Sequence, residues 1–196
     1  EAVRDVVLVY AEIKPYDVVI DIGTGTGLLA FKALEMQDCK GKVIFSDKFQ
    51  DCLDDCKTIL DQAGVTEGYE MLLSPCEHIA LGASTVHKAL MRSVLVHIVH
   101  KQPAISEIFR VLKPGGKLIA SVLHPCFNGN HEKVIGRQGK GIERQVVLMN
   151  YFEPTEWEAT LYKGTIPVIW RHRTIQDYVK TFIRNGKSYC FEPSRL

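Results

Sequence analysis

Three glycines at alternate positions, Gly23, Gly25 and Gly27, stand between a β-branched run, Asp17 to Asp21, and a helix-like segment, Leu28 to Met36. Glycines on a strand-to-helix turn let a ligand approach the backbone closely, and the first N–H groups of the following helix offer it donors. Such a turn commits the chain to a βα beginning, and a nucleotide-like molecule is its natural guest. A second strand-like run, Lys42 to Asp47, ends on an acid. At the switch point of an open parallel sheet, a carboxylate placed there can accept hydrogen bonds from both hydroxyls of a ribose. Together the two features point to a ligand that contains an unphosphorylated ribose.

The rest of the chain continues the alternation. Val3, Val6, Val7, Tyr10 and Ala11 have helical spacing and predict an opening amphipathic helix that stops at Lys14 and Pro15. Phe49, Cys52, Leu53, Cys56, Ile59, Leu60 and Ala63 share one helical face before Gly64, which assigns two cysteines to the core. Tyr69 to Leu73 and Val86 to Met91 read as strands three and four. Pro103 opens a helix with Ile105, Ile108, Phe109 and Leu112 facing inward, ended by Lys113-Pro114-Gly115-Gly116, and Lys117 to Val122 is strand five. The predicted class is α/β, a Rossmann-like, doubly wound, mainly parallel sheet with helices on both faces and right-handed crossovers. Regularity fails between Pro125 and Trp170, which hold Phe127, Tyr151, Phe152, Trp157 and Tyr162. Residues 126–170 are therefore expected to be a cap or substrate-binding insertion after strand five, within a single domain spanning 1–196. Thr174 to Asn185 resumes as a helix with Ile175, Tyr178, Val179 and Phe182 on one face, stopped by Gly186, and Ser188 to Phe191 can add a strand.

Composition removes other classes. With 196 residues, 46% apolar and 24% charged, the chain matches an ordinary compact domain rather than a disordered or fibrous one. Its longest clear apolar run, Val6 to Ala11, is far short of the ~18–20 residues of a membrane-spanning helix. The six cysteines include no C-x-x-C pair, so reduced thiols and a cytoplasmic setting are expected. The chain starts at Glu1 without a secretory leader pattern and is expected to be trimmed. Net charge is +1, yet residues 1–98 carry 9 Lys and Arg against 15 Asp and Glu, and residues 99–196 carry 15 against 8. A cleft between the halves would see a field, although a basic excess of this size is more often a solvated surface.

Glycine spacing separates the nucleotide ligands. A dinucleotide fingerprint reads G-x-G-x-x-G, whereas Asp21-Ile22-Gly23-Thr24-Gly25-Thr26-Gly27 reads D-x-G-x-G-x-G. It resembles motif I of the class I S-adenosylmethionine-dependent methyltransferases. Arg92 to Ile98 and the run Arg110-Val111-Leu112-Lys113-Pro114-Gly115-Gly116-Lys117-Leu118 look like that family's segment after strand four and its turn into strand five. Trp170 to Tyr178 looks like the helix start of small-molecule methyltransferases, and Glu192-Pro193 like the pair that often follows. The resemblance implies S-adenosylmethionine as cofactor and S-adenosylhomocysteine as product. It also implies that Gly23, Thr24, Gly25 and Gly27 line the methionine part, that Asp21 helps to hold the amino group, and that Asp47, with Lys48 beside it, holds the ribose. Carbonyls near Arg92 and Ser93 would receive the ammonium. Where many members carry an acid for adenine this chain has Pro75, followed by Cys76 and Glu77, so adenine recognition is expected at the Cys76 backbone and Glu77. His87 stands where the family usually has Asp at the start of strand four, and the closing antiparallel strand is not visible before Leu196.

Methyl transfer needs an acceptor lone pair held in line, and a base only where the acceptor must lose a proton. His97 and His124 follow strands four and five at the ligand edge and are the candidate bases. The plainer readings are that His97 packs or faces solvent and that His124 orients the chain into the cap. His97, His100, His124 and His131 lack metal-ligand spacing, so no metal is expected. Trp170, Arg171 and His172 are candidate substrate residues, with Arg171 and Arg173 able to grip an acidic acceptor if they are not simply an exposed helix start. The function expected is methyl transfer to an oxygen or nitrogen of a small-molecule acceptor, with no membrane and no nucleic-acid partner. The alternatives are a methyltransferase acting on a peptide, protein or RNA, a nicotinamide-dependent oxidoreductase, and a non-catalytic module that kept the cofactor pocket.

Overall fold

The computed structural model describes residues 2–123, 132–137, 144–148, 152–161, 164 and 166–184. Helix α1 (Ala2–Ala11) leads into β1 (Val18–Ile22), α2 (Leu28–Gln37), β2 (Lys42–Asp47), α3 (Gln50–Gln62), β3 (Tyr69–Leu73), β4 (Val86–Arg92), α4 (Lys101–Val111) and β5 (Leu112–Ser121). The five strands are parallel in the order β3-β2-β1-β4-β5, so the direction of winding reverses between β1 and β4. That is the doubly wound arrangement expected from the alternation of elements.

Period-two geometry sorts the strand side chains onto two faces. Val19, Val43, Phe45 and Leu90 pack with Val7, Leu8 and Ala11 of α1, with α2 and with Leu53, Cys56 and Leu60 of α3. Ile20, Ile22, Ile44, Ala89 and Met91 point the other way, against Ala104, Ile105, Ile108 and Val111 of α4 and Tyr178. Both faces of the sheet are thereby covered, which is why its strands read as near-continuous apolar runs.

Several expectations are corrected. The buried side of α1 is Val7, Leu8 and Ala11, while Val3, Val6 and Tyr10 are exposed. A helix that meets one neighbouring surface buries only the narrow stripe turned towards it. Leu112 starts β5 rather than closing α4. The Lys113–Gly116 turn is a bulge inside the β4–β5 pairing: two steps on β4, from Val86 to Lys88, face five on β5, from Leu112 to Lys117.

The stretch after β5 also carries regular structure. Strands β6 (Glu132–Arg137) and β7 (Arg144–Leu148) form one antiparallel pair, and β8 (Glu156–Leu161) and β9 (Ile166–Arg171) form another. Thr174 then caps α5 (Ile175–Ile183), exchanging hydrogen bonds with Asp177 in a capping box. His124, the stop at Gly186 and the strand and Glu-Pro pair expected beyond it lie outside the described residues. Among the described residues, Cys39, Cys52, Cys56 and Cys76 are free thiols, and no helix is long and apolar enough to cross a membrane.

Candidate functional site

At the carboxyl edge of the sheet, where winding reverses, the β1–α2 loop is held by a small polar network. Asp21 is 2% exposed, and its Oδ2 accepts from Thr24 Oγ1 at 2.9 Å and from the Ala30 N–H at 3.1 Å. Burial pushes this carboxyl up to about 7, against the opposing pull of those two hydrogen bonds. The Thr24 N–H donates to the Ser46 carbonyl at 2.9 Å, and the Gly25 N–H donates to Asp47 Oδ2 at 2.9 Å. Asp47 Oδ1 accepts from the Phe49 N–H at 3.0 Å. From α3, the Cys56 thiol reaches the Gly25 carbonyl at 3.4 Å. The Ala30 N–H, among the helix donors expected to face a ligand, thus holds the loop to Asp21, the Gly25 N–H holds it to Asp47, and each oxygen of Asp47 keeps a further lone pair for another donor.

Two glycines show why the loop has this sequence. At Gly23, with φ +66°, a Cβ would collide with Val94 of the segment after β4. At Gly25, with φ +51°, a Cβ would meet no protein atom within 4 Å. The first permits a close approach of two segments, and the second leaves open space above the loop.

That space is a cavity of about 350 Å³, within the usual range of small-molecule sites. Of the residues expected at a cofactor, Asp21, Gly23, Thr24, Gly25, Asp47, Lys48, Cys76, Glu77, Arg92 and Ser93 line it. His97 and Trp170 line it too. Gly27, at the N-terminus of α2, is not in the wall; its missing Cβ gives room to Phe31. Ser93 holds a left-handed φ of +58° while donating its N–H to the Ser121 carbonyl at 2.7 Å, so a sterically costly turn stands where β4 gives way to the site.

His97 is half-buried, and burial holds its imidazole below the usual value. Its Nδ1 lies 3.3 Å from the Ile169 carbonyl oxygen, an acceptor only, so the ring proton belongs on Nδ1 and Nε2 keeps its lone pair. Trp170 meets the imidazole edge-on with ring centroids 4.8 Å apart, and stacks on Trp157 at 6.2 Å.

The wall supplied by β9 was not anticipated in full. Ile166, Val168 and Trp170, at every second position, turn to the cavity, and Ile166 and Val168 pack on Cys52 with Phe49 and Ala159 beside them. In the sequence, Ile166-Pro167-Val168-Ile169-Trp170 has no polar residue at the intervening positions, so no apolar–polar alternation marks which side chains face the cavity. The period of the strand turns Arg171 away from the cavity. Its side chain is 7% exposed, with Nε donating to Glu156 Oε1 at 2.9 Å and Nη1 donating to the His97 carbonyl at 2.7 Å. His172 is 2% exposed, with its N–H on the Thr155 carbonyl at 2.8 Å, and Arg173 reaches the same Glu156 oxygen at 3.2 Å. Neither Arg171 nor His172 lines the cavity, so of the three candidate substrate residues the structure brings only Trp170 to it.

Comparison with known proteins agrees with this geometry. A family model described as a methyltransferase domain matches residues 13–186. The ubiquinone/menaquinone biosynthesis C-methyltransferase UbiE of Francisella tularensis subsp. novicida is 31% identical over 107 residues, 55% of this chain and 43% of that protein. The match thus spans less than half the length of that curated relative. Among solved structures, a protein from Listeria monocytogenes assigned as an S-adenosylmethionine-dependent methyltransferase superposes with a TM-score of 0.71 at 22% identity, covering 94% of this chain and 84% of that one. An S-adenosylmethionine-dependent methyltransferase from Mesorhizobium loti superposes with a TM-score of 0.69 at 22% identity, covering 93% and 80%. With a family match over most of its length and this fold beneath it, the chain belongs to the methyltransferase domain family.

Proposed function

We propose that this protein transfers the methyl group of S-adenosylmethionine to an oxygen or nitrogen of a small-molecule acceptor and releases S-adenosylhomocysteine. The observation that carries the reading is one cavity with the Asp47-tied glycine loop in its wall, beside His97 and the apolar face of β9. The residues fit the cofactor. Open space over Gly25 admits a ligand against the backbone, and Asp21 and Asp47 supply acid character for a cationic guest. In this reading Asp47 holds the ribose with its remaining lone pairs, Lys48 flanks it, the Cys76 backbone and Glu77 meet the adenine, and carbonyls at Arg92 and Ser93 receive the ammonium. Gly23 and Thr24 border the methionine part. When bound, the sulfonium supplies the activated methyl group, which leaves the chain's residues chiefly the work of alignment.

His97 is the base assigned to an acceptor that must lose a proton, because its Nε2 lone pair is open and burial keeps the ring neutral. Ile166, Val168 and Trp170 favour an acceptor with apolar surface. An acidic acceptor loses its main support, since Arg171 is paired with Glu156. A second reading, transfer to carbon, is favoured by the likeness to a relative named as a C-methyltransferase.

Calorimetry with S-adenosylhomocysteine and with reduced nicotinamide dinucleotide tests the cofactor. Wild type is expected to bind only the former, and Asp47→Ala to weaken it by about tenfold or more. Binding of the nicotinamide alone, or of neither, would overturn the reading. Turnover of small acceptors with cofactor carrying a 13C-labelled methyl group then separates oxygen, nitrogen and carbon products by their methyl carbon resonance.

A further inference from the structure

Three consecutive residues of β9 hold His97. The Ile169 carbonyl faces the ring Nδ1 at 3.3 Å, Trp170 packs against the ring with centroids 4.8 Å apart, and Arg171 Nη1 donates to the His97 main-chain carbonyl at 2.7 Å. Arg171 is itself fixed at its other edge, where Nε donates to Glu156 Oε1 at 2.9 Å from the partner strand β8. Glu156 and Arg171 are directly opposite in the β8–β9 register, so the ion pair belongs to the strand pairing and not to a chance side-chain encounter. The guanidinium is buried, and a buried fork with a carboxylate on one edge and a carbonyl on the other has a single well-fitting arrangement.

We infer that Arg171 is a positioning residue for His97: its grip on the His97 carbonyl holds the backbone at the distance at which Ile169 takes the ring N–H, so that Nε2 is the nitrogen left open. This rests on the reading of His97 as the proton acceptor. The β8–β9 hairpin then does two things with alternate side chains, lining the cavity with Ile166, Val168 and Trp170 and locking the tautomer of His97 from the opposite parity. Without the clasp, the ring is free to turn, and the proton divides between its two nitrogens.

The test is nitrogen NMR of protein labelled with 15N-histidine, with the His97 signals assigned by their absence in His97→Gln. Wild type is expected to show His97 as the Nδ1–H tautomer. Arg171→Met is expected to shift it to a mixture of tautomers, which mere loss of a nearby positive charge does not do. Arg171→Lys keeps the charge but replaces the fork with one nitrogen, and is expected to show the same change to a smaller extent even if the Met variant does not fold. S-adenosylhomocysteine affinity is expected to stay within about threefold of wild type in both, because Arg171 does not line the cavity. A His97 tautomer unchanged in the folded variants would overturn the inference, as would a wild-type ring already divided between tautomers. Failure of wild type to bind S-adenosylhomocysteine would strike the proposed function instead and leave the tautomer result standing.

Discussion

Asp21 is a carboxyl that ties the loop together and also lines the cavity. It is nearly inaccessible and ties Thr24 and the Ala30 N–H to the end of β1, yet burial has raised it to about 7. The folded protein therefore holds a proton that the unfolded chain, with the ordinary carboxyl value of 3.8, releases. The stability from this group is complete below the unfolded value and is lost as pH rises through the folded one, between about 4 and 7, by on the order of a few kcal/mol. A cation beside it favours the ionised form. Cofactor binding is accordingly expected to tighten as pH rises from 6 to 8, and binding at pH 6 to release a proton. Calorimetry in buffers of different ionisation enthalpy measures that proton directly. Asp21→Asn should abolish the release and flatten the stability profile over the same interval, and a pH-independent affinity in wild type would show that the cofactor does not sense Asp21.

Among the elements, β9 separates what could be read in the sequence from what could not. The five parallel strands and α2 to α4 were legible because each is a continuous run whose own periodicity decides its burial. The meeting of the glycine loop and Asp47 at one edge of the sheet was legible because each stands at the end of a strand that can be read from local order along the chain. The hairpin was not, since Ile166 and Val168 gain their buried apolar partner, Cys52 of α3, from over a hundred residues earlier, and the strands around them are interrupted by charges and a proline. The inward and outward roles of Trp170 and Arg171 were likewise closed to reading without a strand assignment, because adjacent residues in a strand face opposite ways. Cys52, placed in the core by helical spacing, proves to be both core and cavity wall. The hairpin's dependence on that small apolar cluster can be checked. Val168→Asp puts a carboxylate against Cys52 and Ile166, and is expected to release the hairpin while leaving the five-stranded sheet folded. Hydrogen exchange should then rise over residues 156–171 with that of β1, β2 and β4 unchanged, whereas a uniform rise would mean that the hairpin and sheet form one cooperative unit.

For the whole molecule, the cavity joins two structures of different kinds: a parallel sheet with its own two-faced core, and a two-stranded hairpin that has little core of its own. An isolated hairpin is at best marginally stable in water, so β8–β9 depends on what it closes over. Ligand binding offers a way to see this. A ligand at about 100 times its dissociation constant stabilises the bound state by ~2.7 kcal/mol, which slows exchange about 100-fold at amides that open only when the ligand leaves. Amides of β1 and of the Asp47-tied loop belong to that class, because opening them dismantles the floor of the cavity. Hairpin amides belong to it only if the hairpin cannot lift away while the ligand stays. Since β9 contributes Ile166, Val168 and Trp170 to the wall and takes the His97 ring N–H on Ile169, saturation with S-adenosylhomocysteine is expected to slow exchange in 156–171 and 93–98 together with the glycine loop. Slowing confined to the sheet edge would mean that the hairpin opens independently over a seated cofactor and closes only on the acceptor, and the substrate-facing role of β9 would then have to be sought in the ternary complex.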